Sequence, residues 1–578
     1  MSFLCAMYRS PGGRAIAGML GLLLLLAPLA GCGGGTQPLQ FTTLDLGIPA
    51  EAMNSPVTGS LPDNTDLHVR ATFKINSDTL QKMQNQKIEP GKKSNLENTA
   101  NKIGIDDGTY QKIKGFFNLS GIALKLSKLR THLAVDAKAG TLAKLLQTSF
   151  VTRNYHGNTF FAPKTAPKVP KFLADSIEAI TGLDNYSAKP QHAFTMQFKT
   201  PAPKQMPAQD CQPLQNTLLP RDVAGAYGYD QLWQRGLNGE NMTVNLVEID
   251  GSYRTDVNNY LSCINFKGHF SVVNVDGKPS DALGESTLDI QMVAGLARSA
   301  NIIAYQTDGN ASNDVWINVN DMLQQIANDN VNNASNGSVV SISLGAAEQE
   351  MSSNDAKAID SSLQQLTRAE HMTVFVASGD CGAFTTRQYG NLSVSFPASD
   401  PWSTSVGGTI LQVNGNRNRT NEIVWSDGSN QSTCKNQWGS GGGNSVAFPR
   451  PNWQNAPGVQ NNYSRNMRQI PDISAAAYGL AVYFKGRWGA VGGTSAAAPI
   501  WAAGIALVNE GMIQQIHKFA YGPQIFYTVA NRSNGAQPYY DVTRGNNLYY
   551  PASPGWDFAT GLGTPNLPNF YQIISSAT

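Results

Sequence analysis

Charge is scarce in this 578-residue sequence, and what there is nearly cancels. Asp, Glu, Lys and Arg make up 15% of the residues and leave a net charge of +2. So small an excess excludes a general nucleic-acid binder, which needs a strongly basic surface. Cysteine is rare too, with six residues, and histidine with seven. The cysteine spacings do not resemble those of paired zinc ligands. No apolar run after Ala15–Ala30 is expected to cross a membrane. Against these shortages stands an apolar fraction of 41%, which suits large cores and excludes a disordered chain. At this length two or more domains are expected.

Arg9 and Arg14 precede the apolar run Ala15–Ala30, the pattern of an export signal. The run ends in Leu29-Ala30-Gly31-Cys32, followed by three glycines. These residues resemble the bacterial lipobox, whose cysteine is lipidated and becomes the new N-terminus. An exported chain anchored in a membrane through Cys32 is therefore expected, in the cell envelope or extracellular after maturation. Cys211, Cys263, Cys381 and Cys434 remain. In an exported protein they favour two disulfides over a thiol catalyst. Three pairings are open; sequence proximity favours Cys211–Cys263 and Cys381–Cys434.

The chain divides by pattern. Residues 1–32 are the signal, and 33–65, polar and proline-containing, read as a tether. Residues 66–186 mix strands (His68–Ile75, Thr131–Asp136, Phe150–Pro163) with helices (Asn76–Gln86, Asp107–Leu119, Lys138–Thr148, Lys171–Gly182), as an α+β domain does. Prolines punctuate 187–214, a linker. From 215 to 578 strands alternate with helices. Thr243–Ile249, Asn301–Gln306, Val339–Leu344 and Thr373–Ser378 are strands; Glu285–Arg298, Asp314–Asn328 and Asp355–Glu370 are helices. That alternation implies an α/β domain, a parallel sheet flanked by helices, with its site beyond the carboxyl ends of the strands. The charge is uneven: residues 33–210 carry +7 and residues 211–578 carry −7.

Four stretches carry chemistry. Gly492-Gly493-Thr494-Ser495-Ala496-Ala497-Ala498-Pro499 places a serine at a helix N-terminus, where unpaired N–H groups favour developing negative charge. Glu285-Ser286-Thr287-Leu288-Asp289 sets two carboxylates at i and i+4 on one face of an otherwise apolar helix. Like charges at that spacing cost energy unless one is protonated or both serve a site. Ser378-Gly379-Asp380-Cys381-Gly382 presents Asp380 just past a strand. Ser440-Gly441-Gly442-Gly443 offers a bare backbone edge on which an extended peptide could pair.

Together these stretches resemble the sedolisin family, serine-carboxyl peptidases with a subtilisin-like fold that include the kumamolisins. The resemblance covers roughly residues 215–570 and extends to Phe396-Pro397-Ala398-Ser399, Val406-Gly407-Gly408-Thr409 and Pro471-Asp472-Ile473-Ser474. Residues 60–186 are similar to the family's activation prodomain, which implies a ferredoxin-like α+β fold and an intramolecular inhibitor. No histidine stands in a His-Gly-Thr context, so ordinary subtilisins are disfavoured. By position, the resemblance implies Ser495 as nucleophile, Glu285 as general base, Asp289 as its orienting partner and protonated Asp380 as oxyanion donor. Glu248 extends the network behind Asp289. Ser440, Gly441, Gly442, Leu344 and Ser395 are implied at the substrate; Leu344 replaces the kumamolisin tryptophan, and Ser395 a position acidic in some relatives. The resemblance also implies one structural calcium ion, held by the side chains of Asp541 and Asp557 and the carbonyls of Val542, Ser553 and Gly555.

The implied function is that of an acid-active endopeptidase made as a zymogen, monomeric, acting on protein and peptide substrates and on no nucleic acid. A tripeptidyl-peptidase of the same family is the near alternative, and a surface binding protein on a retired peptidase scaffold the distant one. A +7 prodomain on a −7 catalytic domain further predicts docking released when acid protonates interface carboxylates.

Overall fold

The computed structural model describes residues 39–190, 195–197, 216–309, 312, 314–332, 337–386, 391–428 and 438–577. The export signal and the expected lipidation site at Cys32 lie outside the described residues. Phe41–Thr578 form one compact unit.

In the strand Asp66–Phe73, Leu67, Val69, Ala71 and Phe73 alternate into a core, as a strand covered on one face should. It is the third strand of a four-stranded antiparallel sheet, in the order Leu124–Leu126, His132–Lys138, Asp66–Phe73, Ile177–Thr181. The helices Asp107–Asn118 and Ala139–Leu145 supply Ile113, Phe116, Phe117 and Leu142 to the same core. This is the ferredoxin-like arrangement expected for the prodomain.

Two boundaries differ from the sequence reading. The tether expected over 33–65 gives way to structure at Phe41. Phe41–Thr43 pairs with Lys168–Pro170, Val57–Ser60 pairs with Phe150–Tyr155, and Leu44, Leu46, Ile48 and Ala52 enter the prodomain core. The alternation Leu44, Leu46, Ile48 is that of a half-buried extended segment, hidden among polar neighbours. The helix expected over Lys171–Gly182 stops at Ser176, and Ile177–Thr181 is a strand. Its β-branched residues pack beside Asp66–Phe73.

The second half is built on an eight-stranded sheet. His269–Asn274, Asn301–Gln306, Thr243–Glu248, Val339–Ile342, Thr373–Ala377 and Thr404–Val413 run parallel in that order, with Ile473–Ala476 parallel and Arg419–Val424 antiparallel to the last. Val339–Ile342 and Thr373–Ala377 are buried at every residue, because helices cover both faces. Glu285–Leu296 and Thr494–Ile516 lie in one core, Val315–Asn332 and Ser353–Gln364 in the other. Cys263 and Cys381 are disulfide-bonded; the partners expected for them, Cys211 and Cys434, lie outside the described residues. Within the linker, the backbone of Thr195–Gln197 pairs antiparallel with Ala490–Gly492.

The prodomain docks through neutral contacts more than ion pairs. Arg70 reaches Asp321 at 2.7 Å and Asp276 at 3.8 Å. Asn354 donates to the Asp45 and Ile180 carbonyls at 3.0 and 3.1 Å, Thr131 to Gln324 at 3.0 Å, and Tyr521 to the Gln84 carbonyl at 2.7 Å. The +7/−7 split is therefore largely surface charge. Asp184, at the prodomain's end, is buried with Asp314 and Asp355 of the catalytic domain. Burial, reinforced by Asp355, raises Asp184 to about 8; burial and Asp355 raise Asp314, and burial raises Asp355. Docking thus favours the protonated form of these carboxyls, which reverses the sign of the expected acid trigger.

Candidate active site

Three parallel strands deliver side chains to one end of the sheet. Glu248 ends Thr243–Glu248, Ser343 follows Val339–Ile342, and Asp380 lies three residues past Thr373–Ala377. The helix Glu285–Leu296 is buried along its whole length, with Glu285 in its first turn. Asp250 fixes that turn: its carboxylate accepts the N–H groups of Leu283 at 2.8 Å, Gly284 at 3.0 Å and Ser286 at 3.1 Å. These are donors that a helix start leaves without partners, and the helix dipole adds to the attraction.

The carboxyl groups share one water-poor environment. Burial and then Asp289 push Glu285 well above the usual carboxylate range, and a hydrogen bond with Ser495 offsets part of the rise. Burial raises Asp289 likewise, against a hydrogen bond from Ser343. Burial, then Asp289 and Asp250, raises Glu248. Asp250, with its three backbone donors, is raised only to about 6. Such a group cannot ionise all at once, so it retains protons at pH values where isolated carboxyls have lost them.

Ser495 is the second residue of the helix Thr494–Ile516, which carries Pro499 inside it. Proline has no N–H, so the Ser495 carbonyl lacks its usual helical donor. The Ser343 hydroxyl stands 3.1 Å from that carbonyl and 2.6 Å from Asp289 Oδ2. Ser495 Oγ rests 3.4 Å from the Ser343 carbonyl. Asp380 Oδ1 accepts from Thr494 N at 2.8 Å and from Thr494 Oγ1 at 2.6 Å, which ties the aspartate loop to the residue before the serine. Gly379, at φ +100°, makes the turn that aims the loop. Ser495, Asp380, Leu344 and Ser395 line one cavity.

The glycine stretch sits elsewhere. Ser440, Gly441 and Gly442 are buried behind the Asp380 loop. Ser440 Oγ donates to the Ala559 carbonyl and accepts from Gly408 N, both at 2.9 Å, and Gly441 N donates to the Gly379 carbonyl at 2.7 Å. A Cβ on Gly441 would fall 2.0 Å from the Ser378 carbonyl oxygen. The bare backbone expected as a substrate edge here permits close packing beneath Asp380.

At the C-terminal turn cluster, Asp541 accepts from Gly555 N at 2.8 Å. Asp557 accepts from Ser553 N at 2.9 Å and from the N–H groups of Ala559 and Thr560. Burial raises Asp557 to about 7, with Asp541 adding to the rise. Two oxygen-donor side chains converge there with the backbone of Ser553–Gly555, the hard-oxygen chemistry that suits calcium.

Sequence reasoning missed the cap formed by Asp250, the bridge formed by Ser343, and Glu350, which lines the Ser495 cavity. Only the placement of Asp250 and Ser343 just past strands signalled them.

Comparison with known proteins agrees with this geometry. The subtilase family profile matches residues 277–520, and the pro-kumamolisin activation domain matches residues 58–186. The chain is 31% identical to kumamolisin of Bacillus sp. (strain MN-32) over 422 residues, spanning 69% of this chain and 70% of that protein. It is 27% identical to sedolisin of Pseudomonas sp. (strain 101) over 488 residues, spanning 80% and 77%. The solved structure of Pseudomonas sedolisin, a serine-carboxyl proteinase complexed with pseudo-iodotyrostatin, superposes with a TM-score of 0.54 at 26% identity, covering 62% of this chain and 98% of that one. Fold and site define a subtilisin-like serine peptidase carried with its activation domain. The chain belongs to the sedolisin family of serine-carboxyl peptidases and is kumamolisin-like.

Proposed function

We propose that this zymogen matures into an acid-active endopeptidase in which Glu285 takes the proton of Ser495 as its Oγ attacks the scissile carbonyl. Asp289 holds Glu285 through a shared proton, and Glu248 extends the network behind it. Protonated Asp380 donates to the oxyanion, and Glu285 returns its proton to the leaving amine. Water then hydrolyses the acyl-enzyme by the same route. The observation that carries this reading is the convergence of Ser495, the Glu285–Asp289 pair and Asp380 from three separate elements.

A carboxylate base and a protonated aspartate donor both favour acid, so hydrolysis of a denatured protein should peak at about pH 3–5. A neutral or alkaline optimum in purified, processed enzyme overturns the assignment, as does full activity in Ser495→Ala protein. Tripeptidyl-peptidase 1 of Canis lupus familiaris is 30% identical over 265 residues, spanning 41% of this chain and 43% of that protein. End-group analysis of the products separates removal of tripeptides from internal cleavage.

Asp541, Asp557 and the carbonyls of Val542, Ser553 and Gly555 would hold one calcium ion, which when bound ties the C-terminal turns together. Lipidation at Cys32, placement in the cell envelope or outside the cell, and the pairs Cys211–Cys263 and Cys381–Cys434 complete the proposal. It rests there on the sequence signals and, for the cysteines, on the bonded state of Cys263 and Cys381.

A further inference from the structure

The end of the prodomain enters the catalytic cleft as a bound peptide would. Ala188 N donates to the Glu350 carbonyl at 2.9 Å, and Trp316 Nε1 donates to the Ala188 carbonyl at 2.8 Å. These two bonds fix the register of the chain, and the next residue, Lys189, lines the cavity that holds Ser495. Glu350 lines the same cavity. Its Oε1 is buried without a hydrogen-bond partner among the described residues. Burial alone shifts its pKa, and shifts it upward. Lys189 is itself exposed and closes no ion pair with Glu350. The small and neutral part of the lining includes Gly345, Ala346, Ala347 and Ser395.

We propose that Glu350 is a specificity-determining residue, selecting substrates with a lysine or arginine at the position that Lys189 occupies in the zymogen. A half-buried carboxylate with an unpartnered oxygen is an incomplete site: the missing component is a donor, and a cation supplies both donor and charge. The frame for such a side chain is already present, because a peptide taking the two Ala188 bonds places its next residue in the cavity. Leu344 offers no polar group to compete, and Ser395 is neutral, which leaves Glu350 as the acidic wall for a long basic side chain. The other ionisable groups lining this cavity are Asp380 and, until maturation, Lys189. The inference rests on the peptidase reading above and names the substrate class of the same site.

The test uses mature enzyme and a peptide library that varies one residue at a time, followed by mass spectrometry, at the highest pH that still supports turnover. Lysine or arginine should be enriched at one fixed position relative to the cut. For matched peptides, kcat/KM should favour lysine over norleucine by about tenfold, the size of a modest partly desolvated ion pair. Glu350→Gln should erase that ratio, with the loss falling on the lysine peptide, and Glu350→Lys should favour glutamate instead. Equal ratios in parent and Glu350→Gln enzyme overturn the inference and leave the peptidase reading intact. Failure to cleave any peptide, with the enzyme folded and processed, overturns the peptidase reading itself.

Discussion

The Ser343 hydroxyl lies 2.6 Å from Asp289 Oδ2 and 3.1 Å from the carbonyl oxygen of Ser495. A hydroxyl has one proton, and a carbonyl can only accept. That one proton serves Asp289 Oδ2, the shorter contact, or the Ser495 carbonyl, so the hydroxyl bridges two acceptors. Donation to Asp289 offsets part of the rise that burial imposes on its pKa, and the bridge depends on Pro499, which leaves the Ser495 carbonyl open to a side-chain donor.

Ser343→Ala should accordingly loosen the serine turn without touching substrate. We expect kcat to fall about tenfold with KM nearly unchanged, in the range of lost supporting hydrogen bonds. Stability should drop by about 1–3 kcal/mol from the unsatisfied Asp289 oxygen. Steady-state kinetics with parallel denaturant melts check both, and Ser343→Thr, which restores the hydroxyl, should recover most of the loss. A Ser343→Ala enzyme with parental kcat removes the bridge from the mechanism.

Asp380 makes a sharper distinction, because its Oδ1 is already committed to Thr494 N and Oγ1. Asparagine can keep those bonds through its carbonyl oxygen and present an amide N–H that never deprotonates. Asp380→Ala should lower kcat by about 10²–10³-fold, the loss typical of an oxyanion donor. Asp380→Asn should lose less, and its activity should persist to higher pH than that of the parent. The pH profiles of the three proteins decide; an unextended alkaline limb in Asp380→Asn shows that another group sets it.

How much of this was readable beforehand follows from the range of each signal. Ser495, Glu285 and Asp289 sit in short motifs whose meaning is local: a helix start after glycines, and two acids one helical turn apart. The parallel sheet was legible because buried strands such as Val339–Ile342 are apolar throughout. Ser343 was not, since its value depends on a missing N–H at Pro499, far along the chain. Nor was the packing role of Ser440–Gly442, because a glycine run reads alike whether its backbone meets a ligand or the Ser378 carbonyl. The segment Phe41–Ser60 was hidden for a similar reason: its pairing partners, Phe150–Tyr155 and Lys168–Pro170, come a hundred residues later.

The C-terminal turns give a thermodynamic prediction. Without a cation, burial and Asp541 hold Asp557 at about 7, and burial raises Asp541. A divalent cation favours both ionised forms, so protons and calcium compete. Calcium at about 100 times its Kd should stabilise the protein by about 2.7 kcal/mol near pH 7 and by less in acid. Calorimetry with calcium and with chelator at pH 7 and pH 4 measures the difference. Asp541→Asn should abolish the calcium response, and an unchanged melting temperature with chelator at pH 7 removes calcium from this site.

The docked prodomain makes the most specific pH prediction, because its buried groups pull in opposite directions. Asp184 rises from 3.8 to about 8 on burial beside Asp355. Its contribution to docking is complete below 3.8 and disappears as pH rises through about 8. His132, buried near Gln324 and Arg70, falls from 6.5 to about 3, and His371, buried against the backbone of Gln84 and Met83, falls from 6.5 to about 4. Their contributions are complete above 6.5 and disappear as pH falls toward 3–4. Between about pH 4 and 6.5 the raised carboxyls Asp184, Asp314 and Asp355 oppose the two histidines, so acid alone should leave an uncleaved Ser495→Ala zymogen docked. Asp184→Asn mimics the protonated carboxyl and removes the proton-binding side of the balance, so in that background acidification should expose the prodomain. The double variant His132→Asn/His371→Asn removes the opposite side, and its prodomain should become better protected as pH falls. Hydrogen exchange of the strand Asp66–Phe73 across pH 4–8 follows all three proteins. Identical pH dependence in the parent and Asp184→Asn proteins would show that release is governed elsewhere, with cleavage of the linker as the remaining trigger.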